Sequence, residues 1–382
     1  MFQMCQRFLL AFLFAPFFVV LPEMGFFMEK TNRSLTRVIV SLILFFFGGS
    51  VLIGSVQSIE PSFQKGICYV TWEKERYSSA NSDKSLERLA QTGAEWVSIV
   101  TTYYQERYNS KEVFPSEKTP SDESLIHVIR RAHALGMKVM LKPHIDLIDE
   151  SGGLYRGDIG FQNEADWQEW FSEYLKFILH YAKIAEKAGV ELFCIGTELC
   201  FASTKTVFWQ EEIIPQIRKV YSGNLVYAAN WDEYRNIRFW DDLDYVGIDA
   251  YFPLTQKKNP EYEEIITGWI KWAYEIGIWQ DSINKPIIFT EIGYRSCESA
   301  ASRPWEYSLA NEVNLELQEN CYKAALEVLS SYEWCKGLYW WYWKPSPYAG
   351  GPANRDFIPQ NKPAEIVLTS WYRGISLATT TY

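Results

Sequence analysis

The sequence has little that would hold a metal, a nucleotide or a nucleic acid. Seven cysteines and four histidines are spread over 382 residues, with no Cys-x-x-Cys pair and no Cys/His spacing of the zinc type. No glycine-rich loop follows the first apolar run of the soluble part. Thr71-Trp72-Glu73 stands there instead, which argues against a dinucleotide-binding turn. Positive charge is scarce too, with 37 Lys and Arg against 47 Asp and Glu and a net charge of −10. That balance disfavours nucleic acid and anionic membrane surfaces as partners and leaves a neutral ligand open. Beyond residue 54 there is no further long apolar run, no low-complexity stretch and no linker.

Aromatic residues are plentiful, with 16 Trp and 24 Tyr. Flat rings suit the C–H faces of sugars, and they also fill cores. The first 58 residues differ from the rest. Phe8 to Leu21 is an apolar run after Arg7, broken by Pro16, and Val38 to Gly54 is a second one. Lys30, Arg33 and Arg37 ahead of the second run make the basic and apolar regions of a signal peptide, with Val56-Gln57-Ser58 as a cleavage site. Translation from Met28 and retention of a run as an N-terminal membrane anchor are the two alternatives. The second run is slightly short of the ~20 residues a spanning helix needs. The sequence thus divides into a leader over 1–58 and one domain over 59–382. The domain is expected to be exported and monomeric. Cys68 and Cys194 fall in strand-like runs and read as buried thiols, and export would permit some disulfide pairing.

From Lys65 onward, eight short apolar runs recur: GICYV (66–70), EWVSIV (95–100), KVMLK (138–142), ELFCIG (191–196), LVYAAN (225–230), DYVGID (244–249), PIIFT (286–290) and GLYWWYW (337–343). Each reads as a buried parallel strand. Amphipathic stretches lie between them, at Asp122 to Leu135, Ala165 to Ala188, Tyr262 to Ser282 and Asn311 to Tyr332. Gly136 and Gly189 close two of these before the next strand. Eight such units predict an α/β fold of the (β/α)8 TIM-barrel type.

In such barrels chemistry gathers at the C-terminal ends of the strands. Two glutamates, Glu198 and Glu291, directly follow the fourth and seventh apolar runs. Those strands lie on opposite sides of the barrel mouth, so the side chains can face each other. Carboxyls about 5–5.5 Å apart suit retaining glycoside hydrolysis. One gives a proton to the leaving oxygen, and the other attacks the anomeric carbon. Lys142, His144 and Asp146 end the third run, and Asp249-Ala250-Tyr251 ends the sixth. Trp340, Trp341 and Trp343 belong to the eighth. Neighbours in a strand face opposite ways, so one or two of these three should line the cleft. His127, His133 and His180 read as structural, and Asp232, Glu233, Asp241 and Asp242 as solvated loop acids. Leu147 to Phe161 is a loop that should shape the cleft.

CIGTEL (194–199) and IIFTEIGY (287–294) resemble the acid/base and nucleophile motifs of clan A glycoside hydrolases. KPHID (142–146), YRGDI (155–159) and GLYWWYWKP (337–345) extend the resemblance to glycoside hydrolase family 113, over Lys65 to Gly374. The family is known for endo-β-1,4-mannanases. The resemblance implies that Glu198 is the acid/base and Glu291 the nucleophile. It also implies that Tyr251 donates to Glu291 and that Trp341 or Trp343 lies under the sugar. Lys142, His144 and Asn230 would bind hydroxyls, and Trp72 would line the substrate cleft. The substrate is then a polysaccharide or oligosaccharide, with no cofactor and no metal. One departure stands out. Most of clan A has Asn before the acid/base, where this chain has Thr197, so Asn230 is the expected contact to the sugar 2-OH. The alternatives are another β-glycan hydrolase of the clan, a glucanase or cell-wall enzyme, and a non-catalytic carbohydrate-binding or scaffold barrel.

Overall fold

The computed structural model describes residues 62–307 and 312–375. The leader with its two apolar runs lies outside the described residues. Eight strands, β1 (Gln64–Tyr69), β2 (Trp96–Gln105), β3 (Lys138–Leu147), β4 (Leu192–Thr197), β5 (Asn224–Asn230), β6 (Tyr245–Asp249), β7 (Ile287–Ile292) and β8 (Cys335–Trp343), close into a barrel in chain order. All neighbours are parallel. The helices are α1 (Ala80–Gln91), α2 (Asp122–Ala134), α3 (Glu164–Ala188), α4 (Ile214–Arg218), α5 (Tyr262–Ile283), α6 (Leu315–Leu329) and α7 (Pro363–Tyr372). Only the 3-10 turn Trp240–Asp242 connects β5 to β6. The described chain is therefore a (β/α)8 barrel with one helix reduced to a turn.

Local chemistry sets the element ends. Ser79, Ser121, Asn163 and Asn314 each accept a backbone N–H of the first turn of α1, α2, α3 and α6. A cap of this kind contributes about 1 kcal/mol. Gly189 closes α3 at φ 72°, a backbone conformation that favours glycine. Strands β2 and β3 run longer than their apolar runs, paired from Trp96 with Lys138 to Gln105 with Leu147. The sequence reading ended β3 at Lys142 because polar residues begin there. The ladder instead continues through His144 and Asp146 and carries them into the mouth.

Two apolar layers hold the barrel. The inner one contains Cys68, Val100, Met140, Cys194, Val226, Ala228, Ile288 and Trp341. The outer one packs the other strand face against the helices, with Trp170, Phe171, Tyr174 and Tyr181 of α3 fully buried. Cys68 and Cys194 are buried free thiols, as their strand-like runs suggest, and Cys200, Cys321 and Cys335 form no disulfide. No helix among the described residues is long and apolar enough to cross a membrane.

Three strands gain a residue near their C-terminal ends. On β4, Cys194 pairs with Val226 and Thr197 with Ala228, three residues against two. On β7, Ile288 pairs with Gly247 and Glu291 with Asp249. On β8, Trp340 pairs with Ile67 and Trp343 with Tyr69. Such bulges re-aim side chains and collect beside active sites. On β8 the effect is plain: Trp340 and Trp343 both join the outer layer, while Trp341 and Tyr342 both join the inner one.

The inner layer leaves no room beside β6. A Cβ on Gly247 would lie 2.3 Å from the Tyr227 carbonyl oxygen and 2.7 Å from Val226 Cγ2. Gly247→Ala is therefore expected to destabilise the barrel by about 1–3 kcal/mol. Each kcal/mol should lower the melting midpoint by roughly 2–4 °C. An unchanged midpoint in a calorimetric scan would show that the wall gives way there.

Candidate active site

The floor of the mouth is a buried charge cluster. Lys142 on β3 is fully buried, and its Nζ lies 3.1 Å from both oxygens of Asp249 and 2.5 Å from Glu291 Oε1. Thr290 Oγ1 donates to Asp249 at 2.7 Å. Burial opposes the charge on Lys142, but the two carboxyls outweigh it and hold the ammonium protonated. Burial also pushes the Asp249 carboxyl up, and Glu291 pushes the same way. The β7 bulge makes this arrangement possible, since Thr290 and Glu291 are consecutive yet both reach partners inside the barrel. The expected role of Lys142 as a hydroxyl ligand is thereby corrected. Its donors are engaged by carboxylates and none of its surface is exposed.

Glu291 is met on its other oxygen by Tyr251, whose Oη donates to Oε2 at 2.6 Å. His144 Nε2 lies 3.8 Å from Glu291 Oε1 and has no hydrogen-bond partner. Burial holds the imidazole neutral, helped by the nearby Arg156 and Lys142 charges. Its ring is parallel to the Trp341 indole, with centroids 6.2 Å apart. Trp341 thus belongs to the site. Trp343 does not: it is fully buried in the outer layer, and its indole N–H donates to Ser85 Oγ on α1. The resemblance offers Trp341 or Trp343 under the sugar, and the extra residue of β8 turns Trp343 out.

Glu198 follows β4 and is one of four described non-glycine residues in left-handed backbone, at φ 50°. Its N–H is fixed by the Ala228 carbonyl at 2.8 Å. Such a conformation stores strain of order 1–3 kcal/mol and marks positions that surrounding structure must enforce. The side chain is only 12% exposed. Burial pushes its carboxyl up to about 7, Arg156 pulls the other way, and Glu291 adds to the rise. Arg156 Nη1 donates to Glu198 Oε2 at 3.0 Å. The same guanidinium bonds Asp146 and the Ile145 carbonyl. Thr197 takes no part in this cluster. It is buried, with its hydroxyl 3.7 Å from Cys194 Sγ.

A rim surrounds these groups. Asn230 Nδ2 donates to Tyr155 Oη at 3.1 Å, and its Oδ1 accepts the Trp231 N–H. The amide keeps a second N–H and a second oxygen lone pair for a sugar hydroxyl. Trp72 is 37% exposed, edge-on to Tyr342. Trp231 stacks on the exposed Trp305 at 5.5 Å. Glu233 was expected in solvent but is buried, bonded by Tyr227 Oη and the Asn230 N–H. Three contributors were overlooked in the sequence: Arg156, Tyr155 and Asp249. The first two lie in YRGDI, a motif visible without an assigned role. Asp249 stood at a strand end with nothing to say that Lys142 faced it. Among the described residues no group of three His, Cys, Asp or Glu converges as a metal set would.

Removing one member of a buried ion cluster leaves the others uncompensated, at a cost of about 3–5 kcal/mol. Lys142→Met is expected to lose that much near neutral pH, read by denaturant unfolding. In the variant the Asp249 carboxyl, already raised, rises further above its unfolded value. A group raised in this way contributes stability that is intact at low pH and lost as pH rises through the folded value. The deficit should therefore shrink on acidification, and a deficit independent of pH would refute the ion-cluster account.

No curated protein matches the chain. A solved β-1,4-mannanase shares 29% identity at a TM-score of 0.73, covering 82% of this chain and 99% of that one. A β-mannanase from Alicyclobacillus acidocaldarius, solved with ManMIm, shares 26% at 0.75, covering 82% and 98%. A Ruminococcus gnavus β-glucuronidase shares 13% at 0.55, over 82% of this chain and 50% of that one, a likeness of fold alone. The sequence model of Glycoside Hydrolase Family 113 matches residues 68–362, which span the barrel from Cys68 on β1 to the start of α7 and include both Glu198 and Glu291. On that match, the chain belongs to glycoside hydrolase family 113.

Proposed function

We propose that this protein hydrolyses β-1,4-linked mannan with retention of configuration, using Glu291 as nucleophile and Glu198 as acid/base. The observation that carries the reading is the contrast between the two carboxyls. Glu291 is met by an ammonium and a phenol, both donors that address a carboxylate. Glu198 is pushed up to about 7 by burial and so carries a proton near neutrality. A carboxyl raised by burial suits the acid, and one held by fixed donors suits the nucleophile.

The reaction then runs in two steps. A carboxylate oxygen of Glu291 forms a bond to the anomeric carbon as the glycosidic C–O bond breaks, and the Glu198 proton passes to the leaving oxygen. A water next gives its proton to Glu198 while its oxygen bonds the anomeric carbon, and Glu291 leaves as the carboxylate. Trp341 supplies a flat apolar face for the reacting sugar. His144 Nε2, with no hydrogen-bond partner among the described residues, is a further polar atom beside the nucleophile. The choice of mannan follows from the family mannanases of known structure.

The export expected from the basic and apolar leader belongs to the same reading, since a polysaccharide is met outside the cell. Fractionation of expressing cells should place the activity outside the cytoplasm, in the medium, the envelope or the membrane fraction. Recovery wholly in the cytoplasm would remove export.

The catalytic reading is tested by reducing-end release from β-mannan, glucomannan, cellulose and xylan. Mannan should be the best of the four. Glu291→Gln should lose at least about a thousandfold in rate, and the first-formed sugar should have the β configuration by NMR. An unimpaired Glu291→Gln or an α product would overturn the mechanism. Preference for cellulose or xylan would move the substrate to another β-glycan.

A further inference from the structure

Arg156 touches the acid/base and has no role in the reaction as set out above. Its guanidinium is buried to 18% exposure and held from three sides. Nε donates to the Ile145 carbonyl at 3.0 Å and to Asp146 Oδ1 at 3.1 Å, Nη2 bonds the same Asp146 oxygen, and Nη1 reaches Glu198 Oε2 at 3.0 Å. Two of the three anchors therefore belong to the end of β3 and do not depend on Glu198. Glu198 Oε1, by contrast, is reached by no hydrogen bond among the described residues.

We propose that Arg156 is a positioning residue that dictates which oxygen of Glu198 carries the catalytic proton. A guanidinium has five N–H donors, no acceptor, and does not deprotonate in proteins. A proton on Oε2 would turn that oxygen into a poor acceptor and weaken the bond from Nη1–H. A proton on Oε1 leaves the bond intact. The acid form is thus fixed with its O–H on the free oxygen, and the base form has the same free oxygen to receive the proton of water. Asp146 keeps the guanidinium charge-balanced whether Glu198 is charged or neutral, so Arg156 need not move between the two steps. The inference rests on the assignment of Glu198 as acid/base.

Other groups face Glu198 and set the background. Lys142 on β3 is the second cation. Glu291 on β7, Glu233 after β5 and Asp249 on β6 are the acids. The Tyr155 hydroxyl and the Cys200 thiol stay protonated, chiefly through burial. Removing the Arg156 charge should therefore let the Glu198 carboxyl rise. Removing the Asp146 charge should strengthen the hold of Arg156 and pull it down.

The test compares β-mannan with 2,4-dinitrophenyl β-mannobioside, whose leaving group needs no proton. With Arg156→Gln, kcat/KM on mannan should fall at least about tenfold, within the usual worth of a general acid. The alkaline limb of its pH profile should move up by about one unit. On the dinitrophenyl substrate kcat/KM should stay within about threefold, because its first step does without the acid. Asp146→Asn should move the alkaline limb down, and it carries the test alone if Arg156→Gln does not fold. Equal losses on both substrates, an unmoved limb in Arg156→Gln, or an upward shift in Asp146→Asn would overturn the proposal. Glu291→Gln separates this failure from that of the underlying mechanism. If that variant keeps full activity on mannan, the double-displacement reading fails. If it is inactive while the Arg156 and Asp146 variants behave as in the overturning cases, only the positioning role fails.

Discussion

The ammonium of Lys142 sits between Asp249 and Glu291 with no exposed surface, and the geometry of the mouth depends on it. An unpaired charge in such a place would neutralise or draw in water, so the three groups can be buried only together. They come from β3, β6 and β7, and their attraction ties together strands that are not all neighbours. Once Glu291 is tethered at Oε1, the Tyr251 bond at Oε2 fixes the carboxylate plane. The stacked His144 and Trp341 rings then have one wall to pack beside. A barrel with an apolar core at this level would be easier to fold, and it would leave the Glu291 carboxyl without a fixed orientation.

The two glutamates sit in opposite kinds of surroundings. Glu291 is enclosed by fixed donors, so its negative charge is compensated before substrate arrives. Glu198 is enclosed by apolar and acidic neighbours with one cation on a single oxygen. The different roles proposed for them rest on what surrounds each carboxyl, since both residues occupy the same kind of place at a strand end. The extra residues of β4 and β7 contribute to this difference. They let consecutive side chains, Thr290 and Glu291 on one strand and Thr197 and Glu198 at the end of the other, serve different partners.

Much of this was legible in the sequence. Eight apolar runs gave eight strands because a parallel strand buried on both faces leaves a continuous apolar signature, and the glycines after α2 and α3 marked their ends. Glu198 and Glu291 stood out because each closes such a run, Glu291 at once and Glu198 after Thr197. Trp343 was misplaced because alternation holds only where register is unbroken, and an inserted residue leaves no mark in composition. Lys142 was misjudged for a different reason. A lysine at a strand end looks like a ligand for solvent or sugar until the opposite wall is known, and Asp249 lies 107 positions away. Glu233 read as a loop acid because nothing nearby in sequence announces the Tyr227 hydroxyl that takes it inside. Pairwise burial of charge is a property of the closed barrel, invisible to a window of residues.

The left-handed backbone at Glu198 sets folding and turnover at odds. For an L residue this conformation is disfavoured by roughly 1–2 kcal/mol, and glycine adopts it freely. Burying a carboxyl there adds a further cost that a smaller, neutral side chain would escape. Drift governed by stability alone would therefore empty this position first. If Glu198 is the acid/base proposed above, the reaction holds this position, pinned by Arg156 on one side and by the Ala228 carbonyl on the other, away from its most stable residue.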